Sequence, residues 1–177
     1  MYKLRELKKG IKNLCKWFPV IWKDRDWDHF YIYEILEFKL RKQSDYISKM
    51  DRHTMAQKDA KDMLTCSELI NRVKDGYYDS EYMDYHESEF KFLDIPDKPD
   101  FKQLEINMIV DNLDIYFNKY PTWHKRAINH IKENEYRFES DHNDRKLVAM
   151  VMGDLRQEKA KELVFKIMSD KINGWWD

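Results

Sequence analysis

The scarcity of turn-forming residues limits the folds open to this chain more than any other feature. Only four glycines and four prolines occur among its 177 residues. A protein made of many short strands needs more of both, because tight turns rely on them. Six tryptophans, eleven tyrosines and nine phenylalanines provide apolar surface for a folded core. The composition therefore predicts a folded, all-α protein.

The spacing of apolar residues agrees with a helical fold. Near the start of the chain, Leu4, Leu7, Ile11 and Leu14 recur every three or four positions, which places them on one helix face opposite a lysine-rich face. Asp26 or Asp28 is suited to cap the next helix. Helical patterns cover 2–16, from these aspartates to 50, 55–74, 101–118, 121–137 and 141–173, the last being one helix or two.

These patterns predict a single-domain helical bundle of about five to six helices covering residues 1–177. The second and third helices are expected to form an antiparallel hairpin. Between them and the later helices, residues 77–100 carry eight acidic residues against Lys91 and Lys98. We expect this stretch to be an irregular, acidic surface segment.

Charge and cysteine content indicate the compartment and exclude some partners. The formal net charge of −1 does not favour a general nucleic-acid binder. Cys15 and Cys66 have no CxxC partner, and no apolar stretch is long enough to span a membrane or serve as a secretory signal. We expect a protein of the cytoplasm without a membrane partner.

Common catalytic motifs are absent from the sequence, which contains no HExxH, no GxSxG and no glycine-rich phosphate loop. Phosphate groups would have to be bound by lysine and arginine side chains or by a helix N-terminus. The sequence therefore favours a non-enzymatic binding protein that needs no cofactor.

Aromatic residues close to basic residues point to a nucleotide ligand. A base can stack on aromatic rings while basic side chains hold its phosphates. The aromatic residues lie mainly before the second helix and at its start, and a basic cluster lies around the turn that follows it. The candidate ligand-binding residues are Trp22, Arg25, Trp27, Tyr31, Arg52, His53, Lys58 and Lys61.

Two pairs of carboxylates offer an alternative site. Glu34 and Glu37 are three residues apart on one predicted helix, and Asp59 and Asp62 have the same spacing on the next. On an antiparallel hairpin, the four could converge on Mg²⁺ and bind a triphosphate. This pattern resembles the Glu-x-x-Glu and Glu-x-x-Asp motifs of all-α nucleoside triphosphate pyrophosphatases, although Asp59 replaces the glutamate of that family.

A second resemblance is carried by four segments: WKDRDWD at 22–28, the Glu34-x-x-Glu37-x-Lys39-Leu40 motif, the His53, Lys58 and Lys61 group, and LVFKI at 163–167 with WWD at 175–177. With these motifs the chain resembles small accessory proteins of tailed bacteriophages. The likeness does not extend over 77–119 and carries over no activity or site residue. It implies a protein of the infected bacterial cytoplasm that acts by binding a host defence protein or a nucleotide signal.

Three interpretations therefore remain open. The first is a phage-encoded binding protein that counters host antiviral defence by sequestering a nucleotide signal. The second is a Mg²⁺-dependent nucleoside triphosphate pyrophosphatase. The third is an inhibitor whose acidic 77–100 surface binds a host nucleic-acid-binding protein. The wide apolar helix faces and the terminal tryptophans favour a homo-oligomer.

Overall fold

A computed structural model describes residues 2–96, 98, 100–134 and 143–175. Contacts divide the chain into two compact units, each with its own apolar core. Unit 1 comprises Met1–Asp75 and Lys161–Asp177, and unit 2 comprises Gly76–Ala160. The single folding domain expected from the chain length remains a prediction.

Unit 1 is helical. It contains α1 (Tyr2–Ile21), α2 (Phe30–Met50), α3 (Ala56–Lys74), the last part of α7 (Arg145–Lys171) and a 3₁₀ turn at Ile172–Gly174. As predicted, α2 and α3 form an antiparallel hairpin, in which the buried Ser44 hydroxyl donates to the Ala60 carbonyl at 2.7 Å. Its buried core contains Leu40, Ile47, Ala56, Ala60, Met63, Cys66, Ile70, Val164 and Trp175.

Local signals set several helix ends in unit 1. The Asp28 carboxylate accepts a hydrogen bond from the first amide of α2, on Phe30, at 2.9 Å. Gly76 follows the end of α3 with φ +62°, a left-handed conformation that favours glycine. One boundary differs from the prediction, because α1 continues through Pro19 to Ile21.

The two ends of the chain differ in how they place their apolar residues. The apolar stripe of α1 is exposed, with Leu4 at 64% and Leu14 at 60%. Trp175, by contrast, is only 2% exposed and belongs to the unit 1 core. Trp175 therefore packs into the body of unit 1, whereas Trp176 lies outside the described residues.

Unit 2 combines short helices with a β-hairpin. It contains α4 (Tyr77–Ser80), a 3₁₀ turn (Glu81–Tyr85), β1 (His86–Asp94), β2 (Lys102–Asp111), α5 (Leu113–Lys119), α6 (Pro121–Glu133) and the first part of α7. Its core includes Tyr116, Ile131 and Met152, each with no exposed surface. The end predicted for the α6 pattern, residue 137, lies outside the described residues.

The β-hairpin corrects one part of the all-α prediction. The described residues are mostly helical, but β1 and β2 form a two-stranded antiparallel sheet. It lies where an irregular segment and a helix over 101–118 were expected. In β2, Leu104, Ile106 and Met108 alternate with polar residues, and this period of two suits a strand with one apolar face.

Helix α7 is a single helix from Arg145 to Lys171, which settles the open question at Gly153. A Cβ atom at this position would lie 2.9 Å from the carbonyl oxygen of Tyr78 and 3.0 Å from the Cα of Asp79, so glycine allows the backbones to approach. Among the helices that the structure describes, none is long and apolar enough to cross a membrane.

Candidate anion-binding groove

A groove of about 490 Å³ in unit 1 is rich in lysine. Helices α1 and α2 supply its walls, and it is open to solvent. Four of its side chains are lysines, two are aromatic and one is acidic. The lining residues are Asn13, Lys16, Trp17, Lys39, Lys42, Gln43, Asp45, Tyr46 and Lys49.

Lys42 lines this groove and lies next to two aromatic rings. Its Nζ atom is 5.3 Å from the ring centroid of Trp17 and 5.3 Å from that of Phe38. The two rings meet edge to face, with centroids 4.8 Å apart. This geometry is that of a cation–π contact, which holds an ammonium group at an aromatic wall.

Among the residues that the structure describes, only one of the four lysines in the groove is paired with a carboxylate. Asp45 pairs with Lys49 at 3.6 Å. Within the described part of the chain, Lys16, Lys39 and Lys42 have no ion-pair partner. Burial lowers the pKa of Lys42 below its ordinary value, and the charges of Lys16 and Lys39 lower it further. An anion bound in the groove would relieve this repulsion.

The arrangement is suited to a ligand that has both phosphates and a ring. Lysine ammonium groups donate charge-assisted hydrogen bonds to phosphate oxygens. Tyr46 is 47% exposed at the same groove, so its ring can accept a stacked base. Together the lysines and Tyr46 provide the phosphate-binding and base-stacking groups that a nucleotide site needs in a chain without a glycine-rich phosphate loop.

The residues predicted around WKDRDWD do not line this groove. Trp22 is 72% exposed and packs on Phe18, and Trp27 is 83% exposed. The Arg25 guanidinium donates to the neighbouring Asp24 carbonyl at 2.9 Å. Tyr31 lines a separate groove of about 260 Å³, together with Lys23, Asp28, Phe30 and Glu34.

The other predicted ligand residues lie in the turn after α2 and near the start of α3. Arg52, Lys58 and Lys61 are exposed, and His53 Nε2 is 3.0 Å from the Asp59 carboxylate. Because α2 has 21 residues, its two ends are about 30 Å apart. The structure therefore does not bring the two predicted clusters into one pocket.

The first predicted carboxylate pair is bound to a lysine. The ammonium group of Lys74 lies 2.7 Å from both Glu34 and Glu37, and Arg41 contacts Glu37 at 3.0 Å. Burial opposes the charge on Lys74, but the two carboxylates outweigh it and raise the pKa of this lysine. Glu34 and Glu37 thus anchor the start of α2 to the end of α3.

The second carboxylate pair lies at the other end of the helical hairpin. Asp59 contacts His53, and Asp62 forms an ion pair with Lys171. The antiparallel register therefore keeps Asp59 and Asp62 apart from Glu34 and Glu37. Within the described residues, no group of three or more histidine, cysteine or acidic side chains is placed to hold a metal ion.

Unit 2 contains a buried polar network that the sequence did not reveal. Arg156 Nη1 donates to Glu81 at 2.6 Å and to the Tyr116 hydroxyl at 3.0 Å. The guanidinium lies 3.8 Å from the ring centroid of Tyr120. The second oxygen of Glu81 accepts hydrogen bonds from Lys119 at 2.7 Å and from the Tyr120 hydroxyl at 2.9 Å.

This network is an internal link of unit 2. Burial alone would raise the pKa of Glu81, but hydrogen bonds from Lys119, Arg156 and Tyr120 hold it below its ordinary value. Burial opposes the charge on Arg156, yet Glu81 raises its pKa. Because the charged groups already satisfy one another, the network offers little to an incoming ligand.

The groove contains residues that the sequence analysis did not select. Lys39, Lys42, Tyr46 and Lys49 are spaced by three, four and three positions, so they share one face of α2. That spacing is a signal in the sequence. Lys16 and Trp17 could be added only once the packing of α1 along this face was known.

Comparisons with known proteins identify no relative. The chain matches no protein-family model, and searches against curated proteins and solved structures find no match either.

Proposed function

We propose that this protein is a non-enzymatic binding protein that sequesters a phosphate-bearing nucleotide in the groove between α1 and α2. The observation that carries this function is the position of Lys42 between Lys16, Lys39 and two aromatic rings, without a carboxylate partner among the described residues. The phosphates would neutralise the lysines, and Tyr46 would stack on the base.

The resemblance to accessory proteins of tailed bacteriophages supports a cellular role. A protein that binds a nucleotide without consuming it can lower the concentration of a signal molecule. We therefore propose that the ligand is a nucleotide signal of host antiviral defence, in the cytoplasm of the infected bacterium.

Calorimetric titration with a panel of nucleotides tests the proposal. The panel contains nucleoside mono-, di- and triphosphates together with cyclic mono- and dinucleotides. At least one member should bind, and its affinity should fall as the salt concentration rises, because lysine contacts to phosphate are screened. The nucleotide should be recovered unchanged.

Two double variants with equal loss of charge locate the site. Lys39→Met with Lys42→Met should weaken binding by roughly 10- to 150-fold for each lysine, since each charge-assisted hydrogen bond contributes roughly 1.5–3 kcal/mol. Lys58→Met with Lys61→Met removes the same charge near the start of α3 and should leave affinity nearly unchanged. A larger loss in the second variant, or no binding by any nucleotide, would contradict the proposed site.

The pyrophosphatase remains the alternative prediction. Its Mg²⁺ site would require Glu34 and Glu37 to leave Lys74, and Asp62 to leave Lys171. The distinguishing measurement is turnover of nucleoside triphosphates with Mg²⁺. Turnover that chelation abolishes and that Glu34→Gln removes would favour the enzyme over the binding protein.

A further inference from the structure

The β-hairpin of unit 2 has one apolar and one polar face. Residues directly opposite each other in an antiparallel sheet share a face. The register pairs Phe90 with Ile106 and Phe92 with Leu104. The intervening pairs, such as Lys91 with Glu105, lie on the other face. The hairpin is therefore amphipathic, as expected of a sheet whose apolar face is covered.

In the single chain, this apolar face is uncovered. Phe92 is 67% exposed, Phe90 60%, Ile106 51%, Leu104 47% and Met108 43%. These five residues define the hairpin face. Isolated two-stranded hairpins are marginally stable in water and become stable when a further element covers their apolar side. The exposed hairpin face thus indicates a missing contact.

We propose that the hairpin face is a dimer interface, covered by the same face of a second copy of this chain. Other copies of the chain are available wherever the protein is produced, so a second copy can cover the hairpin without a different partner protein. Two identical faces related by a twofold axis also form a closed contact that leaves neither face exposed.

The area of the hairpin face is sufficient for such a dimer. A fully buried phenylalanine alone removes roughly 150–250 Å² from solvent. The five partly exposed side chains can therefore bury on the order of 500 Å² per copy, or about 1,000 Å² in the pair, which reaches the lower limit of a specific interface.

The charges around the hairpin favour a second copy over an anionic lipid surface. Its two strands carry five acidic residues and two lysines. Anionic headgroups would repel this net negative charge. On the apolar side, the tip carries Asp94 and Lys102, which pair at 3.3 Å. A face that ends in one charge of each sign can meet a copy of itself without net repulsion.

Sedimentation velocity of the full chain over a range of concentrations tests the dimer. The wild type should approach twice the mass of one chain, 21.9 kDa. Leu104→Glu places a charge in the hairpin face and should weaken dimerisation by about 100-fold or more. Gln103→Glu adds the same side chain on the polar face, opposite Leu93, and should leave the dimer intact.

A second measurement on the wild type does not depend on the folding of a variant. Amide hydrogen exchange in β2 should slow as the protein concentration rises through the dimerisation range, because docking stabilises the hairpin. The dimer is refuted if the wild type sediments as a monomer at all concentrations, if Leu104→Glu still forms it, or if exchange in β2 is independent of concentration. Monomers that bind anionic vesicles through Leu104 would also overturn it.

Discussion

Replacing Glu81 by glutamine should destabilise unit 2 strongly. Glutamine keeps the shape of the side chain but removes the charge that compensates Arg156. Both side chains are only 7% exposed in the wild type, and Arg156 contacts Glu81 at 2.6 Å. In the variant, the guanidinium would be left buried with the Tyr116 hydroxyl and the ring of Tyr120 as neighbours.

The expected loss of stability follows from the burial of Glu81 and Arg156. Removing one partner of a buried ion pair costs about 3–5 kcal/mol, because the other charge stays uncompensated. Removing the other partner of the pair, by Arg156→Met, should cost about 1–3 kcal/mol, since Lys119 and Tyr120 still donate to Glu81. Replacing both Glu81 and Arg156 by methionine should cost less than the two single changes added together.

The assay is hydrogen exchange at increasing denaturant concentration, read from the α6 amides that exchange only on unfolding of unit 2. Because the folded-state pKa of Glu81 is lowered, its contribution is complete above the ordinary value of 4.5 and is lost as the pH falls through the folded-state pKa. The wild type should therefore lose this part of its stability in acid, whereas Glu81→Gln should not. A loss below about 1 kcal/mol at neutral pH, typical of an exposed pair, would refute the reasoning.

Two further predictions concern local packing and thiol chemistry. Gly153→Ala should lower the stability of unit 2 by about 1–3 kcal/mol in chemical denaturation, because the new Cβ would press on the Tyr78 backbone. Gly10→Ala should instead stabilise α1, because nothing lies within 4 Å of its Cβ position. Equal effects of the two substitutions would contradict this packing. Native protein should react with a thiol reagent at the exposed Cys15 only, since Cys66 is buried and burial raises its pKa to about 11. Rapid modification of both thiols before unfolding would contradict this prediction.

The helices of unit 1 could be predicted because their signals are local. The buried residues Met63, Cys66, Ile70 and Val73 of α3 recur every three or four positions, which is the spacing of one helix face. Gly76 just after the helix is a typical signal of a helix end. Such signals act within one or two turns of helix, so they can be read without knowing the fold.

The β-hairpin was missed because its residues also suit a helix. Leucine and methionine are good helix formers, and no glycine marks the connection between Asp94 and Lys102. The decisive signal is the alternation of apolar and polar residues in both strands. It becomes compelling only when the two strands are paired in register, which is a non-local property.

The sequence analysis selected aromatic and basic side chains, but at other positions than those that line the groove. Aromatic rings beside basic side chains were expected, and the groove contains both. Most of the expected residues, however, lie before α2, in the turn after it or on α3, whereas Lys39, Lys42 and Tyr46 lie within α2. The sequence marks the basic face of α2 but not the position of α1 against it, which depends on tertiary packing.

Photo-crosslinking can locate the bound nucleotide. An azido-purine nucleotide of the class that binds in the calorimetric panel is irradiated with the full chain, and the modified peptides are identified by mass spectrometry. If the groove between α1 and α2 is the site, the crosslink should fall on Trp17 or Tyr46, and excess unmodified nucleotide should suppress it. A specific crosslink confined to Trp22 or Trp27, or to unit 2, would contradict the groove as the nucleotide site.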